Sequence, residues 1–303
     1  MRHSLTNHGA QIAGFAIVFY FALSPAVGSS ITVTHRARTL AQGEVVELTV
    51  RGPGPLSAVE ARAFDKLFRF YSTRDPRLWK GLVGIDLETR PGSYAIDVRA
   101  TLGGRRTAGK HVLAVKAKSF PTRRLTMDEK FVTPPPEVQA RIASEAERLA
   151  AVFASESEAR GWEGAFRAPV DAPPISSFGK RSILNGKPRS PHAGTDFGSP
   201  PGAEVRAPGG GRVVLADDLY FSGNTVIVDH GLGLFSLFAH LSKIDVEKGT
   251  LLRTGRIVGR VGSTGRSTGP HLHWSVRLAG ARVDPLSLIA ATSPSPAGKP
   301  PKK

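Results

Sequence analysis

Five side chains suited to metal or proton-transfer chemistry lie in the second half of the 303-residue sequence: His192, Asp196, His240, His271 and His273. The segment His271-Leu272-His273-Trp274 reads as the start of a strand, where side chains alternate faces with a period of two. His271, His273 and Ser275 then point one way, and Leu272, Trp274 and Val276 the other, toward a core. Two imidazoles side by side on an accessible face can be two metal ligands, or one ligand beside an acid/base group. His192 and Asp196 supply a second pair of candidate ligands, and His240 a further imidazole. The chain has no cysteine, so no disulfide staples the fold and any metal must be held by His and carboxylate.

The elements around these residues read as β. From Ile175 to about Ile289, short candidate strands at Gly211–Leu215, Thr225–Asp229, Leu234–Phe238, Ile257–Val261 and His271–Leu278 are broken by glycine-rich turns. No helix-length amphipathic pattern is visible there. Gly194 is expected to let the chain bend so that His192 and Asp196 face one ion; Gly and Thr between them argue against a helix. Upstream, Glu44–Val50, Gly81–Leu87, Tyr94–Ala100 and His111–Lys118 are β-rich, with turns at Pro91-Gly92 and Gly103-Gly104. That spacing suggests a small β-sandwich acting as a spacer or docking unit, in which His35 and His111 stand isolated. Between the two regions, Thr133-Pro134-Pro135-Pro136 precedes a helical pattern from Glu137 to about Arg160, with Val138, Ile142, Leu149 and Val152 on one face. This helix is assigned no chemistry, and 161–174 is read as a loop.

The expected fold is therefore mainly β: an N-terminal β-sandwich-like domain, a connecting helix and a C-terminal antiparallel β domain. The boundaries are a signal peptide at 1–28, the accessory domain at 29–122, a linker with the helix at 123–174, the site-bearing domain at 175–290 and a disordered basic tail at 291–303. The signal reading rests on Arg2 and His3 before the apolar run Ile12–Leu23, with small residues following and cleavage expected near Gly28–Ser29. The alternative is an uncleaved anchor. Either way the chain is expected in the periplasm or the extracellular envelope, touching the membrane only through that segment. A net charge of +16 draws it to polyanions. With 7% aromatic residues and no basic stripe interleaved with them, an anionic cell envelope fits better than nucleic acid.

Three ordered motifs make the resemblance specific. Pro191-His192-Ala193-Gly194-Thr195-Asp196, Phe238-Ala239-His240-Leu241-Ser242 and Thr268-Gly269-Pro270-His271-Leu272-His273-Trp274 resemble, in order and spacing, the lysostaphin/LytM-type zinc endopeptidases of peptidoglycan. The likeness covers about Ser176–Leu288. It implies that His192, Asp196 and His273 bind one zinc ion, with His240 and His271 as the catalytic histidines. Independently of the family, catalytic zinc usually takes three protein ligands and leaves a position for water, which two imidazoles and a carboxylate satisfy. The sequence has no His-Glu-x-x-His helix, so the usual glutamate base is missing. His271 is expected as the general base, with His240 donating a hydrogen bond to the oxyanion or the water; the two roles are exchangeable at this level.

The resemblance thus implies a zinc endopeptidase that cuts peptide cross-links in peptidoglycan, and the N-terminal segment adds the expectation of export. Its competitors are a catalytically silent wall-binding protein or activator of other hydrolases, and an Fe(II) oxygenase with a two-His-one-carboxylate triad. Silent relatives typically lack ligands or catalytic histidines, and here all five positions are filled. The His-x-x-x-Asp spacing does not match the close pairing usual in the oxygenases. His230, at a strand end before glycine, is read as structural, with a mild effect expected on substitution. Residues 262–269 lack the Gly-Lys-Ser/Thr ending of a phosphate loop and are read as a wall of the substrate groove. Glycine cross-bridges, D-Ala–diaminopimelate cross-links and other stem bonds all remain open as the bond cut, with the D,D-endopeptidase reading preferred by family analogy alone, and oligomeric state is unread.

Overall fold

The computed structural model describes residues 31–155 and 157–294. The expected signal segment and the tail from residue 295 onward lie outside the described residues. Alternation of small or apolar with polar residues produces the N-terminal strands β1 (Thr32–Arg36), β2 (Val45–Arg51), β3 (Leu56–Ala63), β4 (Lys66–Ser72), β5 (Leu78–Gly84), β6 (Gly92–Leu102) and β7 (Arg105–Val115). They form one seven-stranded antiparallel sheet in the order β1-β2-β5-β4-β3-β6-β7. On β6, Ile96, Val98 and Ala100 face inward while Asp97 and Arg99 face water. The first and last strands of that order also meet: a Cβ on Gly109 would lie 3.0 Å from Ile31. His35 Nδ1 sits 2.7 Å from His111 Nε2. The sandwich-like expectation therefore takes the form of a single curled sheet, and the two histidines read as isolated are paired across its edges.

The remaining elements are β8 (Thr122–Leu125), α1 (Pro136–Ala154), β9 (Pro174–Ser176), β10 (Arg181–Leu184), β11 (Lys187–Arg189), β12 (Gly194–Phe197) and β13 (Glu204–Arg206). They continue with β14 (Gly211–Leu219), β15 (Gly223–Gly231), β16 (Leu234–Ile244), β17 (Leu251–Leu252), β18 (Ile257–Val261), β19 (Leu272–Leu278), β20 (Ala281–Val283) and α2 (Pro285–Thr292). The ten-stranded C-terminal sheet runs β17-β14-β15-β16-β19-β12-β9, with β18 joining β13 and β16, and β20 pairing with β19. All of its pairings are antiparallel.

Helix α1 covers part of this sheet. Leu149, Val152 and Phe153 pack on Leu215, Leu219, Ile227 and Phe235; two of the four apolar positions read from the sequence, Leu149 and Val152, make this contact, and the helix ends at Ala154 rather than near Arg160. Glu145 fixes the helix by accepting from the Tyr220 backbone N–H at 2.9 Å and from Arg141 at 2.6 Å. Helix α2 was not expected. It is eight residues long and too short to display a helical period, and it is set by Asp284, which caps Leu286 N–H, with Pro285 at its first position. It takes in Ala291 and Thr292, which the tail boundary had placed outside the domain.

The two β regions are not beads on a linker. Their apolar residues form one contiguous core, running from Val83 and Ile85 into Leu278, Ala281 and Val283. Polar groups reinforce the seam: Arg38 binds both Glu44 (2.8 Å) and Asp284 (2.6 Å), and Ser287 Oγ donates to Glu44 (2.7 Å). The expected linker at 123–174 is likewise built in. Strand β8 pairs in parallel with β10, and β11 completes a three-stranded sheet beside the C-terminal domain. Trp162, Phe166 and Val170 of the expected loop are buried in the shared core.

Candidate metal centre and active-site cavity

Strands β12 and β19 are antiparallel neighbours in the register Gly194↔Ser275, Thr195↔Trp274 and Asp196↔His273. Period two then sends Leu272, Trp274 and Val276 into the core, each fully buried, and leaves His273 and Ser275 on the cavity face. Asp196 stands directly opposite His273. His192, just ahead of β12, is held by paired backbone bonds: its N–H donates to Lys180 O (2.9 Å) and its carbonyl accepts from Gly179 (2.8 Å). Gly194 does not act as the expected bend. It is the first residue of β12, and a Cβ there would lie 2.5 Å from Trp274 O and 2.7 Å from the His273 ring. Absence of a side chain lets β12 approach the second imidazole.

Three donor atoms converge as a result. His192 Nε2 lies 2.9 Å from Asp196 Oδ1 and 3.0 Å from His273 Nδ1, which is 2.8 Å from the same carboxylate oxygen. His240 and His271 close the group: their rings are 4.9 Å apart, and His240 is 6.0 Å from His273. His271 Nε2 lies 3.8 Å from Asp196 Oδ1. All five residues singled out in the sequence therefore meet in one place.

Backbone carbonyls orient three of the imidazoles. Nδ1 of His192 faces Ser177 O (3.1 Å), Nδ1 of His240 faces Thr264 O (2.8 Å) and Nδ1 of His271 faces Gly269 O (2.8 Å). A carbonyl can only accept, so Nδ1 of His240 and of His271 carries the proton and Nε2 presents its lone pair; His192 Nε2, which bonds to Asp196 here, presents its lone pair once a metal takes that place. His240 is further constrained by its backbone, which takes φ +63° within β16. A non-glycine residue in the left-handed region is uncommon, and such conformations cluster at functional sites.

The electrostatics suit a cation. Burial opposes ionisation of Asp196, but hydrogen bonds from His192 and His273 prevail and hold its carboxyl far below the usual range. Burial first, then the neighbouring His273 and His271, bring His240 down to about 3, and burial also lowers His273. Neutral imidazoles and an ionised carboxylate are the forms that bind metal. Donors bonded to zinc at about 2.0–2.2 Å in a tetrahedron lie roughly 3.3 Å apart, so the observed trio fits one face of such a site with little adjustment.

The cavity in front of these groups measures about 420 Å³. Arg266, Ser267 and Thr268 form one wall, in the stretch read as a groove wall. The other wall is new: Arg123 and Leu125 of β8, Met127, and Leu149 of α1. No motif marks these residues, since their role arises from the β8–β10 pairing. His230 stays apart from the site. It is fully buried, facing Gly210 O (2.7 Å) and Ser236 Oγ (2.9 Å), and Ser236 also accepts from Trp274 Nε1 (3.1 Å).

An antiparallel β-domain carrying a His–Asp–His donor set beside two further imidazoles defines a metal-centre protein. Residues 190–285 match Peptidase family M23. A crystal structure of an M23 peptidase from Pseudomonas aeruginosa is similar over 84% of this chain and 97% of its own, with 32% identity and a TM-score of 0.66. The chain belongs to peptidase family M23. It is 42% identical over 101 residues to the DD-carboxypeptidase/endopeptidase Mpg of Neisseria meningitidis, covering 33% of this chain and 23% of that relative. It is 39% identical over 114 residues to the peptidoglycan DD-endopeptidase ShyA of Vibrio cholerae, covering 38% and 26% respectively. The chain thus spans only about a quarter of the length of these curated relatives.

Proposed function

We propose that the chain is an exported zinc metalloendopeptidase that hydrolyses peptide cross-links in bacterial peptidoglycan. The observation that carries the reading is the donor trio of His192, Asp196 and His273, set within 3.0 Å of one another beside two imidazoles oriented by backbone carbonyls. The names of the M23 relatives supply the substrate class. Zinc held by the trio would supply Lewis acidity, activating water and polarising the scissile carbonyl. His271, its Nδ1 proton given to Gly269 O, offers Nε2 as the base that removes a proton from the attacking water and returns it to the leaving amine. His240, locked by Thr264 O, faces the same space and steadies the oxyanion or the water once it carries a proton on Nε2. Its low proton affinity makes it the less apt donor of the pair, so the two roles are separated by experiment.

The periplasm or outer cell surface is the expected site of action, in keeping with the apolar segment near the N-terminus and a substrate found in the envelope. The test is digestion of purified peptidoglycan with and without a chelator, with products read by mass spectrometry. Chelator-sensitive loss of cross-linked dimers supports the endopeptidase. Zinc bound at one ion per chain with no bond cut would replace it with a binding or activating role.

A further inference from the structure

The lining of the cavity carries three arginines, Arg123, Arg189 and Arg266, that have no carboxylate partner among the described residues. Arg266 is the clearest case. Its backbone N–H donates to Phe221 O (2.7 Å), and its guanidinium lies 4.8 Å from the centre of the Phe221 ring. A Cβ on the preceding Gly265 would come within 2.3 Å of Gly223 N, so the loop is seated tightly on that turn. Among the described residues the Arg266 guanidinium has no carboxylate or carbonyl partner. Burial, and then the neighbouring Arg189, lower its proton affinity below that of an ordinary arginine.

Arg189 adds to the same field. One of its terminal nitrogens donates to Val132 O, while its buried Nε has no hydrogen-bond partner. Arg123 also lines the cavity and is bonded to two hydroxyls, Ser182 and Ser176, each at 3.2 Å. Asp196, one of the donor trio, is the one carboxylate among the lining residues. Partly buried guanidinium groups placed beside each other without a carboxylate to neutralise them are costly in the empty cavity and favourable when an anion enters. A planar fork selects a carboxylate or phosphate over a simple point charge.

We propose that Arg266, supported by Arg189, forms a carboxylate-binding subsite that reads a free carboxylate on the substrate residue supplying the scissile nitrogen. This rests on the peptidoglycan endopeptidase reading and decides among its substrates. A glycine cross-bridge has no carboxylate beside the scissile bond. A D-Ala–diaminopimelate cross-link carries one on the carbon next to the scissile nitrogen. The subsite therefore assigns the enzyme to the second class, and amidation of that carboxylate, which removes its charge, becomes a means of resisting it.

The decisive comparison uses the full zinc-loaded chain and two product peptides that cannot turn over. Both are diaminopimelate-containing stem peptides, one with the carboxylate next to the released amine free and one with it amidated. Calorimetry is expected to give a Kd about tenfold lower for the free acid, equivalent to about 1.4 kcal/mol. Arg266→Gln should abolish that preference with zinc content unchanged, and Arg266→Lys should restore part of it. Equal binding of the two peptides by the parent chain would overturn the subsite, whether or not any variant folds. A preference that persists undiminished in a folded Arg266→Gln would overturn the assignment to Arg266. Cleavage of the matching cross-linked dimers is measured in parallel, where amidation should raise KM more than it lowers kcat. If the binding preference holds and neither dimer is cut, the endopeptidase reading fails while the subsite stands.

Discussion

Asp196 and His273 face each other across adjacent antiparallel strands, with Asp196 Oδ1 2.8 Å from His273 Nδ1. The pairing is tied to the core, because the next residue, Trp274, is fully buried on the opposite face. A slip of one residue would bring Trp274 into the cavity and His273 into the core. The hydrophobic pattern that folds β19 is thus also what aims the donor.

Removing a donor should therefore empty the site without unfolding the chain. Asp196→Ala is expected to leave less than a tenth of an ion per chain after gel filtration, read by elemental analysis. Gly194→Ala should also weaken zinc binding, through the 2.5 Å approach to Trp274 O and the 2.7 Å approach to the His273 ring. Full zinc occupancy in Asp196→Ala would remove the proposed ligand set.

His271→Ala and His240→Ala should both keep zinc and lose turnover, by about a hundredfold to ten-thousandfold for a general base and about a hundredfold to a thousandfold for an oxyanion donor. The pH profile separates them: the acid limb of kcat/KM should disappear with the base. If it disappears in His240→Ala and persists in His271→Ala, the roles exchange.

His230 should matter for stability rather than for chemistry. Full burial lowers it to about 4. The native state therefore favours the neutral ring, and the unfolded state takes up the proton first. Stability is complete above the free imidazole's usual value near 6.5 and falls as pH drops toward 4, by roughly 3 kcal/mol in all. Melting curves between pH 7 and 4 measure this. His230→Ala should cost about 2–4 kcal/mol of stability, since the change leaves a cavity and an unpaired Gly210 carbonyl, while its effect on chemistry stays mild as expected from sequence. Activity per folded molecule should stay near that of the parent.

The seam between the two β regions should be structural. Arg38→Ala leaves the buried Glu44 with Lys118 and Ser287 alone, and a loss of about 2–4 kcal/mol is expected by chemical denaturation. Despite burial, bonds from Arg38, Ser287 and Lys118 hold Glu44 below the usual carboxyl range. Its contribution is present above the unfolded glutamate value and lost on acidification below it. A fragment beginning at residue 175 would expose core residues such as Val283 and should melt well below the full chain; an equal melting temperature would refute the shared core.

The net charge of +16 should aid capture of anionic wall polymers, because exposed charges act over about 8 Å at physiological salt. Pull-down on purified walls should weaken as salt rises. Salt-insensitive capture would leave the charge without this role.

The sequence by itself determined the local parts. Period two placed His273 and Trp274 on opposite faces, an apolar stripe gave α1, and three ordered motifs singled out the five side chains that meet in the cavity. These signals are short-range, so a one-dimensional reading suffices. Tertiary structure decided what depends on distant segments meeting. It made Gly194 a point of close approach rather than a bend, and brought His35 to His111 across a curled sheet. It turned an expected linker into a cavity wall through the parallel β8–β10 pair. It also set Arg266 beside Arg189 in that cavity, with no carboxylate bonded to either among the described residues. Neither arginine carries a mark in the sequence, because whether a charge is paired depends on what the folded chain places next to it.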